Sequence, residues 1–335
     1  MSNTPQLRHG TLATVLAATL LAGCGGGSST PSDSGGNTTP TPSGGSSCTN
    51  LQILDTNGQC VARYSVEPDV ASCRPGVLSA AARQNVLTAL NTIRALHQLD
   101  PVTYDTAGEP AAMSAALLMQ ANGQLSHTPP SNWNCYSAAG DNGAGSSNLG
   151  GGNRSATPED NLISWLLDTS NLSTTIVGHR RWLLDPFLGK IAYGRSDSSS
   201  GALGMWALQV IHADVVTQSS AATFVAYPYQ DYPARYHTQG ALLSFSVIAD
   251  PANKNASANV DFSAAQIAVS RRSAGGAVAV TASNISPDNQ GFGLANNLQF
   301  SIGTISANSI YDVSITNVRV GGVLKNYSYW FRVVS

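Results

Sequence analysis

The chain has 335 residues, a formal charge of −2 and only 11% charged side chains, well under the usual quarter. That balance excludes a basic nucleic-acid surface, and no nucleic-acid partner is expected. Past the first 47 residues there is length enough for two modest domains or one large one.

Arg8 and His9 precede an apolar run from Thr11 to Ala22, which closes at Leu21-Ala22-Gly23-Cys24. About a dozen apolar residues are too few for the roughly 20 that span a bilayer, and the flanks are those of a cleaved secretion signal. Residues 1–23 read as a lipoprotein signal peptide and Cys24 as the lipidated mature N-terminus, whose acyl chains would hold the protein on a membrane. Gly25, where aspartate would retain a lipoprotein on an inner membrane, points to an extracytoplasmic, membrane-anchored place at a bacterial outer membrane or cell surface. Residues 24–47, rich in Gly, Ser, Thr and Pro, carry no large apolar side chain to offset the entropy of ordering and read as a flexible tether.

With Cys24 set aside, Cys48, Cys60, Cys73 and Cys135 form an even set and predict two disulfides. Three connectivities are open. The pairing Cys48 with Cys60 and Cys73 with Cys135 is favoured, since the first closes a short loop and the second pins the arm at 48–77 to a long loop. A zinc site is the alternative, but no C-x-x-C spacing supports it.

Helical spacing starts at 78–98, with Val86, Leu87, Leu90, Ile93 and His97 on one face and Ser79 as N-cap. A second helix at 109–122 stops at Gly123. A third begins with Thr157 as cap, Pro158 at the first helical position and Asp160 in a capping box. A short fourth helix, about 176–184, ends before Pro186 because the residue ahead of proline avoids helical angles. Then "KIAYGRS" and "ALGMWALQV" read as a hairpin across a Ser-rich turn at 196–201. Downstream of about 222, six short runs ("LLSFSVIA", "AQIAVSR", "AVAVTAS", "LQFSIGT", "IYDVSIT", "YSYWFRVV") predict a small antiparallel sandwich of immunoglobulin-like type at 222–335. The boundary between the helical domain, 78–215, and this sandwich is expected near 215–225.

Four pieces of the helical part occur in fixed order: "LNTIRALHQLDPVTYD" at 90–105, "LSHTPP" at 125–130, "SSNLGGG" at 146–152 and "SWLLD...VGHRRWLLDPFLGKIAYG" at 164–194. Here the chain resembles the CAP superfamily, the cysteine-rich secretory protein, antigen 5 and pathogenesis-related protein 1 group, in its secreted bacterial form. The resemblance covers roughly 85–212 and implies an α+β fold: a CAP-type α-β-α sandwich with a large cleft, followed by the all-β sandwich. The "AYPYQDYP" stretch looks like the β-rich tail of some bacterial members. In the family, two histidines and two acidic residues line the cleft and hold a divalent metal such as zinc. His127 and His179 match the histidines. The acid that precedes the Asn-Leu pair is here Ser147, and the second acid has Asp168 as its nearest counterpart.

Two imidazoles with so little carboxylate support bind a metal weakly. Glu159 and Asp160 serve the start of their own helix, which leaves Asp168 as the local carboxylate free for a base or ligand role. His179 is expected to reach backbone, Ser147, Asn148 or His127 across the cleft. Asn148, ahead of a glycine run, is expected to hold a turn. Arg180 and Arg181 are expected to solvate a helix end, Trp165 and Trp182 to sit in the core, and His97 and His212 to be structural. No G-x-S-x-G elbow, P-loop, G-x-G-x-x-G fingerprint or H-E-x-x-H pair occurs. The reading favours a lipid-anchored, non-catalytic binding module whose cleft residues His127, His179, Ser147, Asn148 and Asp168 take a lipid, glycan or peptide ligand. The rivals are a metal-dependent hydrolase and an adhesion or scaffold protein that binds through its C-terminal half.

Overall fold

A computed structural model describes residue 48 and residues 51–55, 57–170, 176–198 and 201–335. Residues 1–47, with the expected signal peptide, Cys24 and the expected tether, lie outside the described residues. The N-terminal arm forms two small antiparallel pairs, β1 (Gln52–Leu54) with β2 (Cys60–Ala62) and β3 (Tyr64–Val66) with β4 (Val77–Leu78). The disulfides are Cys48–Cys60 and Cys73–Cys135, the favoured pairing. The second ties the arm to the loop beyond the second helix, and the pair fits an oxidising, extracytoplasmic environment.

Helix α1 (Ala80–Leu96) starts where Ser79 Oγ accepts from the Ala82 amide, and it buries Val86, Leu90 and Ile93. After β5 (Thr103–Tyr104), helix α2 (Glu109–Asn122) is buried on nearly every side from Ala112 to Met119 and ends at Gly123 in the left-handed conformation that glycine favours. Next come α3 (Ala138–Gly145), β6 (Ser147–Asn153), α4 (Pro158–Leu167), α5 (Gly178–Leu183), β7 (Lys190–Asp197) and β8 (Leu203–Gln209). Helix α4 carries the full capping box between Thr157 and Asp160.

The sheet order is β5-β7-β8-β6, and strand alternation makes three layers of it. Ile191, Tyr193, Trp206 and Leu208 point into a core shared with α1 and α4. Met205 and Ala207 point the other way, onto Ala115, Leu118 and Met119 of α2 and Ala144 of α3. Helix α2 lies so close to β7 that a Cβ on Gly194 would sit 2.1 Å from the Ala112 carbonyl.

Two expectations need correction here. The Asn148-Leu149-Gly150 stretch is no turn but part of β6, paired antiparallel with β8 over its whole length. Gly150 and Gly152 leave room for the Trp206 indole and Gly151 for Met205 on the other face; a Cβ on Gly150 would meet Trp206 Nε1 at 2.2 Å and one on Gly151 would meet Met205 Sδ at 2.5 Å. Helix α3 was not expected, since "AAGDNGAG" has no apolar period.

The C-terminal half adds β9 (Phe224–Tyr227), β10 (Gln230–Pro233), β11 (Leu243–Val247), β12 (Val260–Asp261), β13 (Gln266–Arg271), β14 (Val278–Val280), β15 (Ser283–Asp288), β16 (Asn297–Ser301), β17 (Tyr311–Val320) and β18 (Val323–Val334). They form two sheets, β10-β18-β17-β13-β14 with β12 beside β17, and β15-β16-β11-β9. Phe245, Phe300, Val313, Ile315 and Phe331 fill the space between them. There are ten strands here against the six expected, and the sandwich is not wholly antiparallel, because β10 runs parallel to β18. The extra strands β9, β10, β12 and β15 are short and lie at sheet ends or beside β17; β10, β12 and β15 carry the Pro, Ser, Asn or Asp that interrupt an apolar run, while β9 is a four-residue apolar stretch too short to stand out in the sequence.

The described residues form one compact unit. Val225, Tyr227, Tyr232, Tyr236, Ile248 and Leu294 of the C-terminal half join the core of α1 and α4. His97, at the end of α1, is part of this seam: its Nδ1 donates to the Ala226 carbonyl at 2.8 Å and its Nε2 accepts from the Tyr232 hydroxyl at 3.1 Å. Burial pushes its pKa down from 6.5 to about 3. The unfolded chain therefore takes up a proton below pH 6.5 that the folded chain refuses until about pH 3. This stabilisation is complete above pH 6.5 and falls by up to about 1.4 kcal/mol per pH unit on acidification. Urea titrations between pH 7 and 4 are expected to show that slope, and His97→Gln, though less stable at pH 7, is expected to show a shallower one. Equal slopes would rule the mechanism out.

Candidate functional site

The site is built where α4 stops and α5 starts. Helix α4 ends on Asp168, held at φ 52°, a left-handed cap that turns the carboxylate back inside. Helix α5 has Val177 as N-cap with no side-chain cap of its own, and Asp168 supplies what is missing. Asp168 Oδ2 accepts from the His179 amide at 3.0 Å and from the Arg180 amide at 3.4 Å. Its Oδ1 accepts from His179 Nδ1 at 2.8 Å. A carboxylate near the first amides of a helix is also favoured by the local dipole.

Asp168 is thus committed rather than free. Its side chain is 1% exposed while that of His179 is 25% exposed, so the carboxylate lies behind the imidazole. With Nδ1 tied down, the His179 ring presents Nε2, which has no partner among the described residues. The Trp165 ring lies alongside at 6.5 Å between centroids, and Trp165 Nε1 donates to the Leu149 carbonyl at 2.9 Å. From the other side, Asn148 Nδ2 donates to the His179 carbonyl at 3.1 Å. Strand β6 and helices α4 and α5 are locked together around one ring.

His127 sits on the loop after α2, exposed, with Nδ1 donating to the Ala144 carbonyl at 2.9 Å. Its anchor at Ala144 and the Asn148 that holds His179 belong to one short segment, so the end of α3 and the start of β6 carry both histidines. Ser147, next to Asn148, is buried, and its Oγ has no hydrogen-bond partner among the described residues. Among the described residues, no group of three or more His, Cys, Asp or Glu side chains comes together to hold a metal ion. With Asp168 behind His179, the donor set does not fit a zinc site, which wants three or four ligands.

Arg180 and Arg181 overturn the expectation of solvated side chains: both are buried. Arg180 donates through Nε to the Leu166 carbonyl, through Nη2 to the Leu167 carbonyl and through Nη1 to the Leu242 carbonyl and Ser244 Oγ. Its guanidinium stacks 3.8 Å above the centre of the Tyr227 ring. Arg181 pairs with Asp288 at 2.9 Å and donates to the Gln290 and Leu294 carbonyls. Helix α5 is only six residues long, and both guanidinium groups turn into the C-terminal half, where carbonyls, Ser244 and Asp288 hold them, instead of reaching solvent. Trp165 is in the core as expected. Trp182 is half-buried under Lys254. His212 is half-buried, with Nε2 unpartnered among the described residues, and burial lowers its pKa.

Two cavities among the described residues lie elsewhere. One of about 210 Å³ sits between His97, Gln98 and Phe224, and one of about 20 Å³ between Arg180, Arg181 and Ser244. Neither includes His127, Ser147, Asp168 or His179.

Residues 87–210 match the family model described as CAP, cysteine-rich secretory protein family. No curated protein matches the chain.

Proposed function

Through residues 87–210 the chain belongs to the CAP superfamily, and from that premise we propose that it is a lipid-anchored, extracytoplasmic binding protein that holds a lipid-like or envelope-derived ligand against His179 without turning it over. The observation that carries this reading is the commitment of Asp168. Its two oxygens serve the His179 ring and the first amides of α5, and Ser147 stands where the resemblance expects the acid ahead of the Asn-Leu pair. The site keeps one oriented imidazole nitrogen as a recognition group and, among the described residues, lacks a carboxylate free to accept a proton from water. The anchor rests on the sequence at residues 8–24.

The test uses the full chain. Calorimetric titration with monopalmitoylglycerol, whose hydroxyls can donate to Nε2, is expected to show binding that His179→Ala weakens about tenfold, the loss of one hydrogen bond. Detergent-phase partition of the full chain against Cys24→Ser reads the anchor. No binding, or binding indifferent to His179→Ala, would overturn the proposal.

One observation favours a hydrolase as second reading: a buried carboxylate orienting a histidine is the base and orienter half of a nucleophilic triad. It lacks a nucleophile within hydrogen-bond distance of Nε2 among the described residues. Turnover of an envelope polymer that disappears in His179→Ala would decide for it. A third reading puts binding in the C-terminal sandwich. Cutting the chain near residue 220 cannot test that, because the cut would split the core that Tyr227 and Tyr232 share with α1.

A further inference from the structure

The larger cavity, about 210 Å³, opens where the end of α1 meets β9, and its lining includes His97, Gln98, Ala222, Thr223, Phe224 and Tyr229. Among the described residues no charged side chain lines it, so a charged ligand would lose water there without gaining a partner. His97 has both ring nitrogens bonded inside the fold and stays neutral, which makes it wall rather than base. Alanines 221, 222 and 226 leave the room. Phe224 and Tyr229 meet edge to face at 5.9 Å, and both are only half-buried. Their backs are fixed, Phe224 against Phe245 at 5.3 Å and Tyr229 against Tyr329 at 6.3 Å. Around this aromatic corner stand an amide (Gln98), a hydroxyl (Thr223) and a phenol (Tyr229).

The volume is below the roughly 300 Å³ at which sites for drug-sized ligands begin, so the occupant has about one ring. A ligand that is neutral, has one ring, offers several hydroxyls to uncharged donors and acceptors and carries an apolar C–H face for an aromatic wall is a pyranose. We propose that this crevice seats one neutral pyranose unit, either as a free sugar or as the end of a glycan. The site is separate from the His127 and His179 site and does not depend on the reading given to it.

Saturation-transfer difference NMR on the full chain would use glucose, N-acetylglucosamine, the β-1,4-linked tetramer of N-acetylglucosamine, and gluconate as the charged comparison. Transfer to the ring protons of at least one neutral monosaccharide is expected, with none to gluconate. If the tetramer also binds, transfer is expected to concentrate on one terminal unit. Thr223→Trp, at an exposed rim position, fills the crevice and is expected to abolish the signal. Gln98→Asn keeps the left-handed conformation at φ 58°, which asparagine tolerates, and by withdrawing the amide is expected to weaken binding several-fold. Unfolding midpoints establish that both variants are folded. No transfer to any monosaccharide, equal transfer to gluconate, or a signal unchanged in both variants would overturn the proposal.

Discussion

Asp197→Asn is expected to destabilise the fold by about 3–5 kcal/mol, the cost of stranding buried charge. Asp197 Oδ2 accepts from Arg63 Nη1 and from the Tyr64 hydroxyl, each at 2.6 Å, and Oδ1 accepts from Arg195 Nε at 2.9 Å. The side chains of Arg63, Asp197 and Arg195 are 3%, 1% and 0% exposed. Two guanidinium groups therefore share one carboxylate in a place that water does not reach. Asparagine keeps the shape but removes the charge, and its amide nitrogen replaces one carboxylate oxygen, facing either the Arg63 and Tyr64 donors or the Arg195 donor. The effect has a direction that a simple packing loss lacks: Arg63→Met in the Asp197→Asn background removes one stranded cation and is expected to recover part of the loss. Because Arg63 and Tyr64 belong to the N-terminal arm, amide exchange across β3 and β4 is expected to accelerate in Asp197→Asn. Urea unfolding followed by tryptophan fluorescence gives the energies. A loss below about 1 kcal/mol, as at an exposed ion pair, would show that the cluster is hydrated.

That cluster marks where reading the sequence stops. Helix ends were legible because their signals are local: Ser79, Gly123 and the Thr157–Asp160 box each act within one turn. The disulfide pairing was legible from loop length. Helix α3 was not, because it is held by the absence of side chains; a Cβ on Gly143 would lie 2.1 Å from the Ala111 carbonyl of α2. Strand β6 was hidden in the same way, its glycines reading as a turn until Trp206 and Met205 are laid against them. At the candidate site, the order of the motifs picked out His127, Asn148, Asp168 and His179 as residues. The job of Asp168 was not visible, since it depends on a left-handed cap that brings the end of one helix onto the start of another eleven residues on. Arg180 and Arg181 misled for a related reason. A helix of under two turns has no period from which to read which face is buried, and each of its guanidinium groups finds a partner more than 60 residues away in sequence.

Arg180→Met is the second large expected loss, about 3–5 kcal/mol, and it bears on the site. Arg180 is 1% exposed, and its guanidinium satisfies the Leu166 and Leu167 carbonyls at the end of α4, where a helix leaves carbonyls unpaired. The same group reaches the Leu242 carbonyl and Ser244 in the sandwich. Methionine fills the volume but leaves these buried carbonyls without donors, at about 1–3 kcal/mol each, and gives up the stacking on Tyr227. Part of that is offset because the cation has no carboxylate among the ion pairs of the described residues, and its burial, which pulls its pKa below the ordinary arginine range, no longer has to be met. Arg180→Lys keeps the charge but not the fork and is expected to recover only a minor part. The adjacent residue in α5 is His179, so the latch and the imidazole move together. The ring signals of His179 are expected to shift in Arg180→Met and to stay put in Asp197→Asn, although both proteins lose comparable stability. If the His179 signals are the same in both variants, the C-terminal sandwich does not set the position of that ring, and helix α5 is held by Asp168 and Asn148 alone.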